Sequence, residues 1–374
     1  MLKVMTIVGT RPELIRLSRV IAKLDQYCQH TLVHTGQNFD YELNAVFFEE
    51  LDIRPPDVFL NAAGSSAIET IANVLLNIDP VLERLKPDAV LILGDTNSAL
   101  AAIAAKRRKI PIFHSEAGNR CFDQRVPEEI NRKIVDHIAD IHLPYSDIAR
   151  SYLLREGIAP DTVIKTGSPM REVLEFYAPK IAQSDVLQRL SLTPEQYFLV
   201  SVHREENVDV PKKLQQFFAL LNALVERYAL PVIVSTHPRT QKRINDLGLN
   251  AHSHIVFSKP FGFIDYIHLQ THAKVVLSDS GTITEESSIL NFPALNLRTA
   301  HERPEGFEQG AVMMVGLSVE RVMNAVDILA QQSRGIERQL KIVEDYAVDN
   351  VSDKIVRILL SYTDYVNQIV WKKC

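Results

Sequence analysis

The 374-residue chain has 46% hydrophobic and 23% charged residues, a formal net charge of −5 and a pI near 6.2. This length exceeds one ordinary core, so two domains are expected. The slight excess of acid argues against a nucleic-acid binder, which usually carries a basic face. No apolar run is long enough for a membrane span. Cys28, Cys121 and Cys374 lie too far apart for a metal site or a disulfide framework, and the N-terminus begins as a strand rather than a signal peptide. These features favour a reducing cytoplasm.

Short apolar runs alternate with helical patterns along the chain. Runs without strict alternation are typical of strands buried on both faces of a parallel sheet. The first series of predicted strands is Lys3–Val8, Thr31–Thr35, Ala89–Leu93, Ile112–Ser115, Ile141–Leu143 and Thr162–Lys165. The second series is Tyr197–Val202, Pro231–Ser235, Ile255–Phe257, Val275–Leu277 and Ala294–Leu297. This alternation predicts βαβ units, and therefore an α/β protein with two similar parallel-sheet domains that create a cleft between them.

The boundary between the two series is predicted near Thr166–Val173, where Gly167, Ser168 and Pro169 suit a hinge. The expected domains are residues 1–169 and 170–351, and the helical pattern over 352–374 is expected to pack back on the first domain. Ligands of open parallel sheets bind beyond the carboxyl ends of the strands. The residues that follow each predicted strand are therefore the candidates for chemistry.

Two turns of the first domain follow predicted strands. In GTRPE, Gly9 permits a tight turn and Pro12 suits a first helical turn, which leaves Arg11 either facing an anion or on the surface. In GDTNSA, Asp95 is either a helix cap or a carboxylate at the rim of the cleft.

The stretch HSEAGNRCFDQRVPEEINRK carries the densest charge. Pro127 and the acids after it are typical of a helix start, so capping accounts for one of Glu128 and Glu129. Capping does not account for Glu116, which directly follows a strand.

The second domain offers groups for a nucleotide. His203 and His237 each follow a strand, whereas Ser280 and Gly281 present backbone N–H groups at a helix start, which suits a diphosphate. An acid one turn later fits ribose hydroxyls. Neither GxGxxG after the first strand nor GxxxxGK[ST] is present, and no acid cluster has metal-ligand spacing, so no cofactor or metal is expected.

Together, GTRPE, TGQN, GDTNS, EAGNR, VPEEINR, HREEN, SDSGTITEE and ERPEG resemble the non-hydrolysing UDP-N-acetylglucosamine 2-epimerase family, in order from Val8 to about Gly306. The resemblance implies a GT-B type fold of two Rossmann-like, doubly wound domains facing a cleft, a homodimer and a reaction without a cofactor. It also implies that a base removes the C2 proton while UDP leaves C1, and that UDP then adds back after C2 is protonated from the other face.

The resemblance implies acid/base roles for Asp95, Glu116 and Glu128, and a role for His203 in UDP departure. The groups that it implies for binding the UDP-sugar are Arg11, Arg132, His237, Ser280 and Gly281, Glu286 for the ribose, Tyr266 for the uracil and Arg303 near the sugar.

Two departures from the family pattern concern specificity. Asn38 stands in GQN where many members have GQH, which bears on the allosteric activation of some bacterial members. RCFDQRVPEE replaces the usual linker and resembles a subgroup that converts UDP-2-acetamido-2,6-dideoxy-L-talose to UDP-N-acetyl-L-fucosamine for capsule or O-antigen. Epimerisation of UDP-N-acetylglucosamine, a hydrolysing epimerase, a GT-B glycosyltransferase and a non-catalytic binding protein are the alternatives.

Overall fold

The computed structural model describes residues 1–37, 41–236, 240, 241, 243, 244, 251–300 and 302–373. The chain divides into two compact units. Unit 1 comprises Met1–Phe176 with Asp345–Cys374, and unit 2 comprises Tyr177–Glu344. The division therefore falls seven residues later at the first crossing, and seven earlier at the second, than the 169/170 and 351/352 expected from the sequence. Within the described ranges, no helix is both long and apolar enough to cross a membrane.

Unit 1 is built on a six-stranded parallel sheet. Its strands are β1 (Lys3–Val8), β2 (Gln29–His34), β3 (Val58–Phe59), β4 (Ala89–Leu93), β5 (Ile112–Ser115) and β6 (Ile141–Leu143), in the spatial order β3-β2-β1-β4-β5-β6. Its helices are α1 (Arg11–Tyr27), α2 (Tyr41–Glu50), α3 (Ala67–Leu85), α4 (Ala102–Arg107), α5 (Pro127–Ile138), α6 (Asp147–Arg155) and α7 (Met170–Ala182, which continues into unit 2). Short 3₁₀ turns span Asn97–Ala101, Pro160–Thr162 and Glu344–Tyr346.

The C-terminal helix Val351–Ile369 belongs to unit 1 and packs on α1. Ile355 and Leu359 are fully buried, one turn apart, as a helix with one apolar stripe requires. An ion pair between Lys23 Nζ and Asp353 Oδ1, 2.9 Å apart, joins the two helices at the surface.

Unit 2 is built on a second six-stranded parallel sheet. Its strands are β7 (Phe198–Ser201), β8 (Val232–Ser235), β9 (Ile255–Ser258), β10 (Val275–Ser278), β11 (Ala294–Asn296) and β12 (Met313–Met314), in the order β12-β11-β10-β7-β8-β9. Its described helices are Val186–Arg189, Glu205–Val208, Pro211–Tyr228, Phe263–His272, Thr282–Leu290, Pro304–Glu308 and Val319–Leu329.

The predicted α/β fold class is confirmed, and ten of the eleven predicted strands are present within two residues at either end. The predicted strand Thr162–Lys165 is wrong. The chain there leaves a proline-initiated 3₁₀ turn, and Val163 makes only an isolated bridge to His142. The two-residue edge strands β3 and β12 were not predicted, because so short a run has no readable pattern.

Each sheet has the same winding order, 3-2-1-4-5-6, when its strands are numbered within its own unit. The winding reverses between the first and fourth strands, so a crevice opens at their carboxyl ends. In unit 1 these are β1 and β4, and in unit 2 they are β7 and β10. The turns that follow these four strands carry Arg11, Asp95, His203 and Ser280.

Candidate functional site

The turn after β1 is held by a buried carboxylate. Glu13, at the third position of α1, is 2% exposed and accepts hydrogen bonds from the backbone N–H of Gly9 at 2.5 Å and of Thr10 at 2.8 Å. Its other oxygen lies 2.6 Å from Thr96 Oγ1, in the turn after β4. Burial raises the pKa of Glu13 to about 7, although these hydrogen bonds oppose the shift. Glu13 thus links the turns that follow β1 and β4, the two strands between which the winding of the sheet reverses.

Arg11 opens α1, where the sequence placed it, and its guanidinium carbon lies 5.4 Å from the centroid of the Phe47 ring. This contact orients a half-buried cation beside the N-terminus of the helix, where the macrodipole also favours an anion.

Asp95, in the turn after β4, is bound by the arginine predicted to contact substrate. Arg132 Nε lies 2.6 Å from Asp95 Oδ2, and Arg132 Nη1 lies 3.2 Å from Glu129 Oε2. The Arg132 side chain is 4% exposed. Asn131 Nδ2 donates to the Asp95 carbonyl at 2.9 Å, so α5 holds both the backbone and the carboxylate of Asp95.

Glu116, directly after β5, adopts the left-handed conformation with φ 66°. A non-glycine residue in this region costs about 1 kcal/mol or more, so its surroundings must hold it there. Asn119 Nδ2 donates to Glu116 Oε1 at 2.9 Å, and Arg16 Nη1 lies 3.4 Å from Glu116 Oε2. The carboxylate is therefore aimed by two partners while 11% of the side chain stays exposed.

The paired glutamates of α5 have different surroundings. Glu129 is buried and accepts from the backbone N–H groups of Cys121 at 3.1 Å and Phe122 at 3.3 Å. Burial opposes its ionisation, but these donors and Arg132 outweigh it and lower the pKa of Glu129. Glu128 is half-buried, and its side chain makes no hydrogen bond or ion pair with the described part of the chain. Glu129 is thus the structural acid of the pair, and Glu128 keeps its oxygens available.

In unit 2, Asp279 ties the turn after β7 to the turn after β10. It is fully buried and accepts from the backbone N–H of His203 at 3.1 Å and of Arg204 at 3.0 Å, and from Asn207 Nδ2 at 3.1 Å. His203 Nδ1 lies 3.3 Å from Asp279 Oδ1, and 43% of the His203 side chain is exposed. The imidazole is therefore anchored at Nδ1 and remains partly exposed to solvent.

The helix Thr282–Leu290 begins with the two small residues predicted as an anion cradle. Ser280 Oγ lies 3.3 Å from the backbone N of Thr282 and 3.0 Å from its hydroxyl. A methyl group on Gly281 would come within 3.3 Å of Glu302 Oε2, so glycine keeps this approach open. Glu302 in turn pairs with Arg298 at 3.1 Å, which adds a buried cation nearby.

The two acids of this helix are both engaged. Arg303 Nε lies 3.0 Å from Glu285 Oε2, so the arginine predicted near the sugar is anchored to a buried acid. Glu286 Oε2 accepts from Gln270 Nε2 at 2.7 Å. Tyr266 lies beside Glu286 and Gln270, and burial together with the Glu286 charge raises the pKa of its phenol. The predicted ribose acid and uracil aromatic therefore lie together.

Sequence reasoning missed the residues that hold the others in place, namely Glu13, Asn119, Glu129, Gln270 and Asp279. Only Glu13 had a readable signal, because Thr-x-x-Glu before an apolar run is the capping-box pattern. His237 and Asn38 lie outside the described residues. Among those described, no group of three or more His, Cys, Asp or Glu side chains has the geometry of a metal site.

The chain is similar to known proteins over most of its length. The family model for UDP-N-acetylglucosamine 2-epimerase matches residues 22–360. The structure of UDP-N-acetylglucosamine 2-epimerase from Rickettsia bellii is 53% identical, covers all of both chains and superposes with a TM-score of 0.93. The Methanocaldococcus jannaschii UDP-GlcNAc 2-epimerase in complex with UDP-GlcNAc and UDP is 34% identical over 96% of this chain and all of that one, with a TM-score of 0.89.

A further relative acts on a different sugar. UDP-2,3-diacetamido-2,3-dideoxy-D-glucuronate 2-epimerase from Pseudomonas aeruginosa is 33% identical, over 87% of this chain and 91% of its own. The matched length and these identities place the chain in the UDP-N-acetylglucosamine 2-epimerase family of isomerases.

Proposed function

We propose that this chain inverts C2 of a UDP-2-acetamido sugar, with carboxylates of unit 1 exchanging the C2 proton. The observation that carries the proposal is the placement of Asp95 and Glu116 after β4 and β5, two adjacent strands. Each carboxylate is aimed by an arginine, Arg132 at 2.6 Å and Arg16 at 3.4 Å. Two oriented acids suit a reaction that must exchange protons at two faces of one carbon.

In the proposed elimination, a carboxylate of unit 1 takes the C2 proton. The C2–H electrons form the C1=C2 bond, and the C1–O bond breaks with its electrons going to UDP. The products are a 2-acetamidoglycal and UDP. In the return step an acid protonates C2 from the opposite face while a UDP oxygen bonds to C1, so no electron acceptor is consumed. Glu116 and Asp95 are the proposed acid/base groups, with Glu128 as the third.

We assign UDP to unit 2 because the turn after β10 leads into a helix N-terminus and the buried cations Arg298 and Arg303 lie nearby. Ser280 and Gly281 offer a close backbone approach to phosphate. His203, whose Nδ1 lies 3.3 Å from Asp279 Oδ1 and whose side chain is 43% exposed, is proposed to stabilise charge on departing UDP. Glu286 is proposed for the ribose and Tyr266 for the uracil.

For the sugar, we propose UDP-2-acetamido-2,6-dideoxy-L-talose, giving UDP-N-acetyl-L-fucosamine. Support comes from the segment 121–126, which departs from the family pattern. Glu129 binds the backbone of this segment and shares Arg132 with Asp95, so the segment is tied to a proposed acid. UDP-N-acetylglucosamine is the second candidate, favoured by the names of the relatives.

The test is to incubate the purified chain with each UDP-sugar separately in D₂O and to follow C2 by NMR. Inversion with solvent deuterium at C2, without any acceptor, is the expected result. Absence of C2 exchange with both sugars would refute the epimerase. Turnover of UDP-N-acetylglucosamine alone would refute the talose assignment, and accumulation of free sugar would indicate a hydrolysing enzyme. A GT-B glycosyltransferase would leave the C2 hydrogen in place.

A further inference from the structure

A buried cluster of charged side chains supports the turns after β4 and β5. His114, Arg120 and Asp136 are each no more than 1% exposed. His114 Nδ1 lies 2.7 Å from Asp136 Oδ1, and Arg120 Nη1 lies 2.7 Å from Asp136 Oδ2. Arg120 also binds Glu156 through Nε at 2.8 Å and Nη2 at 2.6 Å. Charges this deeply buried are costly unless paired, so the position of each one is dictated by its partners.

One arm of the cluster holds the turn that carries Asp95. His114 Nε2 lies 2.8 Å from the carbonyl oxygen of Gly94, the residue directly before Asp95. The N–H of Gly94 donates to the Ser115 carbonyl at 2.9 Å, and Gly94 has φ 71°, which permits the tight turn. The direction in which Asp95 leaves the strand therefore depends on the His114 ring.

The other arm holds the turn that carries Glu116. Asp136 Oδ2 accepts from the N–H of Gly118 at 3.1 Å. Arg120 Nη1 donates to the Asn119 carbonyl at 2.7 Å, and the Asn119 side chain aims Glu116 at 2.9 Å. These bonds stabilise the left-handed backbone of Glu116, a conformation that glycine would adopt without steric cost but that glutamate adopts only when its surroundings hold it.

Geometry alone indicates the protonation state of His114. Both ring nitrogens face acceptors, and only the imidazolium donates from both. The groups that face the ring are Asp136 from α5, Asp95 from the turn after β4 and His142 from β6, while Arg120 neutralises the second oxygen of Asp136. Burial lowers the pKa of His114, but attraction to Asp136 outweighs it and the net shift is upward.

We propose that His114, as an imidazolium, and Asp136 are positioning residues that set the two acids at C2. The inference rests on the proposed function, because it assigns them to Asp95 and Glu116. Neither residue is proposed to touch substrate. Displacing a reacting group by about 1 Å costs up to roughly 10²-fold in rate, which is the scale expected here.

The first experiment compares His114→Asn and His114→Gln. Asparagine keeps a donor near Nδ1 and glutamine keeps one near Nε2, so each variant retains one arm of the cluster. Each should lower kcat per folded molecule by roughly 10–10²-fold, with KM and the Kd for UDP unchanged. His142→Gln is the matched control, because the His142 side chain is also buried but its Nε2 donates to the Asp136 backbone carbonyl rather than to the turn that carries Asp95 or Glu116. A kcat within twofold of wild type in both His114 variants would overturn the proposal.

Two further measurements separate positioning from general support. Asp136→Asn removes the negative charge that faces His114. The pH at which kcat falls on the alkaline side should therefore decrease, and an unchanged pH profile counts against the proposal. The ¹⁵N spectrum of the wild-type imidazole needs no substitution. It should show both His114 nitrogens protonated at neutral pH, and a neutral ring would overturn the proposal. Loss of C2 exchange in the wild-type enzyme, by contrast, refutes the proposed function and leaves the spectrum unchanged.

Discussion

The Glu13→Gln variant should gain stability relative to the wild-type chain as the pH rises. The pKa of Glu13 is raised by burial from 4.5 to about 7 in the folded protein. A protonated Glu13 accepts from Gly9 and Thr10 through one oxygen and donates to Thr96 through the other. Glutamine reproduces this pattern, with its carbonyl accepting from the backbone and its amide donating to the hydroxyl.

The sign and size follow from proton linkage. Below pH 4.5 Glu13 is protonated in both states, and its contribution to stability is fully present. Between pH 4.5 and about 7 the unfolded chain ionises first, so wild-type stability falls, and the loss is complete above pH 7. Integration from pH 5 to pH 8 gives a loss of roughly 2.5 kcal/mol, which the glutamine variant escapes.

The assay is urea denaturation followed by tryptophan fluorescence at several pH values. Trp371 is the only tryptophan of the chain and belongs to unit 1, which also contains Glu13, so its signal reports the relevant unit. Glu69→Gln is the matched control. Glu69 occupies the same third position in α3, but it is exposed and its pKa is lowered by hydrogen bonds from Ser65. That variant should lose relative stability as the pH rises from acid. A Glu13→Gln difference that stays flat or falls with pH would refute the reasoning.

Three further substitutions test the proposed chemistry. Glu116→Gln should lower C2 deuterium exchange by roughly 10²–10⁴-fold while calorimetric UDP affinity is unchanged; normal exchange removes Glu116 from proton transfer. His203→Gln should slow UDP departure, which would lower kcat and reduce C2 deuterium exchange and C2 inversion together. An unchanged kcat would show that His203 has only a structural role. Gly281→Ala should weaken UDP binding about tenfold with an unaltered urea midpoint, because φ there is −67° and only the approach to the helix N-terminus is filled. An unchanged Kd for UDP would show that the phosphate does not bind at this helix N-terminus.

The sequence was sufficient to predict the positions of the candidate groups, because strand ends can be read from apolar runs. Asp95, Glu116 and His203 each directly follow a strand or lie within two residues of one. Their partners were not predictable in this way. Arg132 is predicted to contact substrate, and the structure shows it bound to Asp95 and Glu129, two contacts that no pattern in the sequence indicates.

The partners that could not be predicted from the sequence have a common physical origin. Asp279 binds the backbone of His203 across 76 residues, and Glu13 binds Thr96 across 83. Both contacts exist because the winding order sets the first strand beside the fourth in each sheet. In unit 2, Asp279 after the fourth strand accepts from N–H groups of the turn after the first strand. In unit 1, Glu13 accepts from N–H groups of its own turn and meets the Thr96 hydroxyl of the neighbouring turn. The same winding order that opens a crevice for ligand therefore places a buried acid between the two turns that border the crevice, and each unit has such an acid.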